Sequence, residues 1–360
     1  MSLEDLGWSD FFQDQLVQSD LTSSDGRAQI LPVPMRISRV QRVRFRAISG
    51  VGNSGGEQVL YPPKEQNTGD FAVGDWVLAD ADTGQVVRLL KRKSVLQRLM
   101  AGPNRSEGER SCQLIAANVD TLFIVTSCNA DFKLSWLDLF LALAFEAGVH
   151  PVIVITKADT VESTRKWEEQ ARSLSPDLTV VVLDARNGDD LRQLDQWCGP
   201  GQSVALVGSS GVGKSTLLNG LAGLDQATGS IREKDDRGRH TTTARSLHRV
   251  RAGGWVIDTP GIQRLRLQDV MTGIGRLFGD ITEASKHCHF RDCKHEKEPG
   301  CALLEGVSKG AISASRLERW HNLRLTDDTQ SEADRDTAVG WREQLKAEEK
   351  TKRKNKFRKR

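Results

Sequence analysis

A chain of 360 residues, 38% hydrophobic and 28% charged, is long enough for two or three domains and too apolar to be disordered throughout. No apolar run reaches the roughly 18 residues a transmembrane helix needs, and Met1-Ser2-Leu3-Glu4-Asp5 is acidic where a secretory signal is basic, so a cytoplasmic protein with no membrane partner is expected. The net charge of +3 hides a division: residues 341–360 hold ten Lys or Arg against three Glu, which leaves residues 1–340 at −4. Such a tail, spanning 329–360 with its acidic approach, reads as a nucleic-acid arm or as a solvated terminus, and charge alone does not separate the two.

Residues 1–34 carry one short amphipathic stretch (Leu6, Trp8, Phe11, Phe12, Leu16) and then a polar run from Ser19 to Gln29, which predicts a mobile N-terminal arm. From 35 to 103, short alternating segments broken by Gly and Pro (Ile37–Ile48, Gln58–Tyr61, Asp75–Ala79, Val86–Leu90) predict a small β-barrel. Its length and its basic positions Arg36, Arg39, Arg42, Arg44 and Arg46 suit an OB-fold-like RNA-binding domain, with a structural barrel bearing solvated arginines as the alternative. Gly102–Ser111 reads as a linker. Across 110–270, strand patterns (Thr121–Thr126, Val152–Thr156, Thr179–Leu183, Ser203–Val207, Trp255–Ile257) alternate with helical ones (Leu134–Ala147, Glu162–Leu174, Asp189–Cys198, Lys214–Leu221). That alternation predicts a mostly parallel sheet with helices on both faces. The strand signal stops near Leu267; a Cys/His cluster and a helix over Ser308–Arg324 occupy 271–328.

Gly208-Ser209-Ser210-Gly211-Val212-Gly213-Lys214-Ser215 stands directly after a strand and directly before a helix, the setting a phosphate-binding loop requires. Its glycines let successive N–H groups converge on phosphates, Lys214 reaches the β/γ oxygens and Ser215 can hold Mg²⁺. Asp258-Thr259-Pro260-Gly261 follows another strand, so that Asp258 can meet Mg²⁺ through water and the Gly261 N–H can sense a γ-phosphate. Between them, the polar stretch Arg237–Thr243 reads as a first switch, in which Thr241, Thr242 or Thr243 completes the metal shell. Thr156-Lys157-Ala158-Asp159 closes a strand some 50 residues before the P-loop. Asp159 there can accept two hydrogen bonds from guanine that adenine does not offer, and Ala185, after Asp184 in a later turn, can offer its N–H to the guanine O6. Cys288, Cys293, His295 and Cys301 supply three thiolates and an imidazole within 14 residues, a set suited to structural Zn²⁺. His287 and His289 leave the ligand histidine open.

These motifs resemble the five nucleotide motifs of the small GTPase fold in the order fourth, fifth, first, second, third. With Thr156–Asp159, Gly208–Thr216, Gly238–Thr242, Asp258–Gly261 and the Cys/His cluster in this order behind an OB-like segment, residues 36–325 resemble the RsgA (YjeQ) family of circularly permuted GTPases. The resemblance implies a multidomain α/β chain: an OB-like β-barrel, a circularly permuted P-loop GTPase domain over 110–270 and a mostly α zinc-binding domain. It also implies GTP/GDP and Mg²⁺, one Zn²⁺ per chain, and a monomer that assists late assembly of the small (30S) ribosomal subunit by binding its rRNA. Three departures stand out. Thr156 replaces the usual Asn and Asp184 the commoner Ser, while Gly211 replaces the Asn of potassium-activated relatives, so no potassium site is expected.

Ile262 occupies the place of the water-orienting glutamine of Ras-like enzymes, and Gln263 comes one residue late. Slow intrinsic hydrolysis stimulated by the small subunit is expected, with His240 either positioning the water or making an ordinary switch contact. The rotated order would let the second switch run into the zinc module. Two readings compete: a non-catalytic GTP-dependent RNA-binding module, and a P-loop ATPase or kinase with an accidental Thr-Lys-Ala-Asp. Cys112, Cys128 and Cys198, like Trp167, Trp197 and Trp320, read as packing residues.

Overall fold

The computed structural model describes residues 1–16, 32–50, 56–99, 112–175, 177–224, 245–259 and 270–323. Two compact units divide the chain: Met1–Arg98, Gln113–Leu265 and Val270–Leu277 form one, and Leu99–Cys112, Arg266–Asp269 and Phe278–Arg360 the other. Among the described residues no helix is long and apolar enough to cross a membrane.

In the first unit, β1 (Val33–Val40) pairs antiparallel with β2 (Phe45–Ser49), which pairs with β3 (Glu57–Leu60). On its other edge β1 pairs with β4 (Trp76–Ala79), and β4 with β5 (Val86–Leu89). A parallel bridge between Tyr61 and Gln85 closes the ring β1-β2-β3-β5-β4, so this is a closed five-stranded barrel. Alternate residues point inward: Met35, Ile37, Phe45, Ala47, Leu60, Phe71 and Val77 form its core. Arg42, Arg44 and Arg46 are exposed, whereas Arg36, also on the outer side of the barrel, is fully buried. After β5, β6 (Val95–Leu99) and β7 (Cys112–Ala117) form a two-stranded ribbon; the expected linker Gly102–Ser111 lies outside the described residues.

The second half of the unit is a sheet whose three central strands are continuous apolar runs, as strands covered on both faces must be. β8 (Thr121–Ser127) pairs in parallel with β9 (His150–Thr156), and β9 with β10 (Thr179–Val182). On the other side of β8 lies β11 (Ser203–Val207), then β13 (Trp255–Asp258) in parallel and β12 (Ser246–Arg249) antiparallel. From β8 the chain runs outward to β10, returns to β11 beside β8, and proceeds the other way. The order therefore reverses between β8 and β11, where open α/β sheets bind ligands. β12 also pairs with β1 through Arg39 and Ser246, so barrel and sheet are one hydrogen-bonded surface.

Residues 1–16 correct the expectation of a mobile arm from the first residue. A short 3₁₀ turn (Glu4–Leu6) and helix α1 (Asp10–Gln13) bury Leu6, Trp8 and Phe12, with the Trp8 ring 4.9 Å edge-on from Trp76 of the barrel. The Trp255 indole donates to the Asp5 carbonyl at 2.8 Å, tying the same segment to β13. Arg36 completes the joint: its guanidinium donates to carbonyls of Leu6, Gly74 and Asn118, from the N-terminal segment, a barrel loop and the approach to β8. Burial pushes this guanidinium down to about 10, and the carboxylates of Asp120 and Asp75 oppose that shift.

Four helices flank the sheet: α2 (Leu134–Ala147), α3 (Arg165–Arg172), α4 (Gly188–Leu191), continued by a 3₁₀ turn to Trp197, and α5 (Lys214–Ala222). A further helix, α6 (Met271–Leu277), lies beyond the boundary at 270 suggested by the sequence, yet it packs on α2. The Gly273 N–H donates to Glu146 at 2.6 Å and Arg276 to the Phe145 carbonyl at 2.8 Å. A Cβ on Gly273 would lie 1.9 Å from the Ala142 carbonyl oxygen, so glycine alone permits this approach. Cys128 and Cys198 are buried as expected, whereas Cys112 is exposed, because the outer end of β7 lies outside the core.

In the second unit, α7 (Gly279–Ser285), α8 (Ala302–Ser308) and a helix over 314–323 bury Phe278, Ile281, Leu303, Leu317 and Trp320. The helix expected over Ser308–Arg324 begins only at 314: Ser308 ends α8, and 309–313 separate the two helices. Arg316 grips Asp280 side-on, its Nε and Nη2 donating to the two carboxylate oxygens at 2.9 and 3.0 Å.

Candidate nucleotide site and metal centre

The P-loop leaves the C-terminal end of β11 at the switch point between β8 and β11. Gly208 takes φ +144, where a Cβ would sit 2.2 Å from the Val125 carbonyl oxygen on β8. Only glycine fits this position. Val212 is buried in the sheet core and pins the middle of the loop, while Ser209, Ser210, Gly211 and Gly213 leave its rim accessible. Lys214, the first residue of α5, donates from Nζ to the carbonyls of Gly208 and Ser209, so its ammonium lies across the concavity. Ser215 is exposed one residue on and Thr216 is half-buried. The loop thus presents backbone N–H groups, a helix N-terminus and a cation to one space, an arrangement that suits a polyphosphate.

The base motif meets this loop directly. Thr156, the last residue of β9, is buried, and its hydroxyl lies 2.5 Å from the Val212 carbonyl and 3.0 Å from the Thr126 carbonyl. It can donate to either, so the brace to the P-loop that the usual Asn provides survives in a hydroxyl. Lys157 adopts a left-handed backbone (φ +60), turning the chain into a 3₁₀ turn, Ala158–Thr160, that carries Asp159 partly exposed at the sheet edge. Asp184 and Ala185 follow β10 in register beside it. Arg186, which the sequence did not single out, pairs with both Asp159 and Asp184.

Asp258 ends β13 opposite Leu206 of β11 and is mostly buried. Burial pushes its carboxyl upward, while the charges of His248 and Lys214 hold it down. Thr259 is buried and donates its hydroxyl to the Leu206 carbonyl, fixing the start of the second switch to the P-loop strand. His240, Thr241, Thr242, Gly261, Ile262 and Gln263 lie outside the described residues.

In the second unit, the donor atoms of Cys288, Cys293, His295 and Cys301 lie within 4.8 Å of one another. Cys288 Sγ is 3.4 Å from His295 Nδ1 and 4.0 Å from Cys301 Sγ, and Cys301 Sγ is 3.6 Å from the same nitrogen. Tetrahedral zinc with bonds of about 2.0–2.3 Å separates its donors by roughly 3.5–3.8 Å; Cys288, His295 and Cys301 stand close to that spacing, and Cys293 lies within 4.8 Å of them. His295 is buried with φ +64 and its ring lies 5.5 Å from Trp320, whereas His287 and His289 are exposed. Glu298 folds the intervening loop by accepting from the N–H groups of Lys294, Glu296 and Lys297; its own backbone N–H first, and then these three, hold its carboxyl down at about 2.

The profile of the RsgA GTPase family matches residues 89–268. The small ribosomal subunit biogenesis GTPase RsgA of Mesorhizobium japonicum is 50% identical over 333 residues, covering 91% of this chain and 90% of that one. The protein named small ribosomal subunit biogenesis GTPase RsgA 2 of Vibrio parahaemolyticus is 40% identical over 322 residues, covering 89% and 84%. Among solved structures, YjeQ from Thermotoga maritima aligns with a TM-score of 0.58 at 25% identity over 82% of this chain and 99% of that one. YloQ, described as a circularly permuted GTPase, shares the fold with a TM-score of 0.57 at 23% identity, over 86% and 99%. Given the profile match and relatives that run nearly the full length of the chain, this protein belongs to the RsgA GTPase family.

Proposed function

We propose that this protein hydrolyses GTP in the cytoplasm as an assembly factor of the small (30S) ribosomal subunit, binding rRNA in its GTP state and leaving after hydrolysis. The observation that carries the nucleotide part is the hydrogen bond from Thr156 to Val212: residues 56 apart, with the base motif preceding the P-loop, are joined in one site at the switch point of the sheet. The relatives' names support the ribosomal part.

In this reading Gly208–Lys214 cradle the phosphates, while Thr156 and Lys157 shape the base pocket in which Asp159 and Ala185 read guanine. Ser215, Asp258 through water, and Thr241 or Thr242 would hold Mg²⁺, which neutralises charge on the β and γ oxygens when bound. Gly261 senses the γ-phosphate, and His240 orients the attacking water that Ile262 cannot. Cys288, Cys293, His295 and Cys301 hold one structural zinc. The barrel within 35–103 and the tail at 329–360 face RNA; Arg42 and Arg44 are exposed on the barrel, while Arg36 is buried where residues 1–16 and the approach to β8 meet the barrel.

The test is GTP turnover with and without purified small subunits, together with co-sedimentation in GTP-analogue and GDP states. Turnover should be slow alone and rise by roughly 10² or more with subunits, as completion of a GTPase site by a partner does. Equal rates in both conditions would remove the subunit-stimulated reading, and unaltered stimulation in His240→Ala would remove the histidine's role.

A further inference from the structure

We infer that Arg186 is a positioning residue of the guanine pocket, holding the Asp159 carboxylate in its base-reading pose against the neighbouring charge of Asp184. This rests on the reading of Asp159 as the guanine acceptor and adds a residue to it. β9 and β10 run parallel with Ile155 opposite Val182, so the turns that follow them emerge side by side. Each turn carries a carboxylate, Asp159 on one and Asp184 on the other. Two anions in adjacent turns repel, and Asp159, partly exposed at the end of a single 3₁₀ turn, has room to swing away.

Arg186 lies between them. Its Nη2 donates to Asp159 Oδ2, its Nε to Asp184 Oδ1 at 3.3 Å, and its own backbone N–H to the same Asp184 oxygen at 3.0 Å. Asp184 in turn is fixed from behind, since its N–H donates to the Asp190 carboxylate at 2.8 Å. The planar guanidinium therefore engages two acids through two of its nitrogens and ties the two turns together, a geometry that a lysine ammonium, a single point charge, copies only in part. The hydrogen bonds and charges of both acids push the guanidinium pKa up, so it stays charged. An ionised carboxylate has roughly four acceptor positions. Asp159 can thus keep its bond to Arg186 while accepting two donors from guanine, and the clamp need not open for the base.

The clamp acts on the base and not on the phosphates, which gives it a signature. Affinities for GDP and ADP are measured on the full chain for the parent protein and for R186A, R186K, D184A, R186A/D184A and D159A, with melting temperature recorded for each. Arg186 is largely exposed, and the pair is screened, so R186A should weaken GDP by about 5-fold with ADP unchanged. R186K should recover part of the loss. In the D184A background, where the repelling charge is gone, removing Arg186 should change GDP affinity by less than about 3-fold. A parent-like GDP/ADP ratio in R186A, or tighter GDP binding in it, overturns the proposal. D159A separates the two levels: if it erases the preference for GDP while R186A does not, only the clamp is wrong. If D159A keeps the preference, the guanine reading falls and the clamp with it.

Discussion

Gly208 leaves β11 with the Val125 carbonyl oxygen where a side chain would begin. G208A forces a contact of 2.2 Å onto backbone, so β8 or the loop must move. The expected result is loss of measurable GDP binding together with about 2–4 kcal/mol of destabilisation, read by nucleotide titration and urea unfolding. An alanine variant that binds like the parent would show that the loop does not need this approach. The need for glycine was legible in the sequence, because the motif's spacing already demands a turn with converging N–H groups. The roles of Thr156 and Arg186 were not. Thr156 stands in the sequence only as a replacement for the usual Asn; the structure places its hydroxyl against the Val212 carbonyl, 56 positions away. Arg186 lies two residues beyond a recognised aspartate, but its other partner is 27 positions back in the chain.

Strands with continuous apolar runs, such as β8, β9 and β11, announce themselves, because burial on both faces leaves no polar alternation. β12 does not. Ser246-Leu247-His248-Arg249 is short and mostly polar, and it is a strand only because β13 and β1 supply its hydrogen-bond partners. The N-terminal segment misled in the other direction: a brief amphipathic stretch before a polar run resembles a loose end. Its apolar residues find Trp76 of the barrel, and its backbone finds Arg36 and Trp255. Phe12, 2% exposed and 5.8 Å from the Trp76 ring, measures that docking. F12A should cost about 3–5 kcal/mol by urea unfolding and shift tryptophan emission to the red as Trp8 and Trp76 gain water. A variant as stable as the parent would mean that the segment contributes nothing.

At the scale of the whole molecule, the sequence suggests a domain boundary at 270, but α6, just past it, belongs to the first unit, where Glu146, the Phe145 carbonyl and the bare Cα of Gly273 hold it on α2. The zinc centre can be tested by thiol titration. In the folded, metal-loaded chain, exposed Cys112 should react with a thiol reagent at pH 8. Cys198, whose thiol burial pushes up to about 12, should not, nor should the also-buried Cys128. Chelation should release about one zinc per chain and unmask Cys288, Cys293 and Cys301. Three further thiols reacting before chelation, or no zinc released, would refute the assignment.

The glycine-rich loop, the Thr156–Asp159 tetrapeptide ahead of it, the barrel and the Cys₃His set are legible in the sequence. Each is written in neighbouring residues, where strand alternation, glycine placement and ligand spacing are local properties of the backbone. Tertiary structure alone decided that Arg36 is an interior tie and not an RNA contact. It alone paired Arg186 with Asp159, chose His295 over two nearby histidines, made β12 a strand and seated α6 on α2. Those outcomes depend on partners tens of residues distant, and nothing in a short stretch of sequence encodes which charge, carbonyl or bare Cα will lie on the other side.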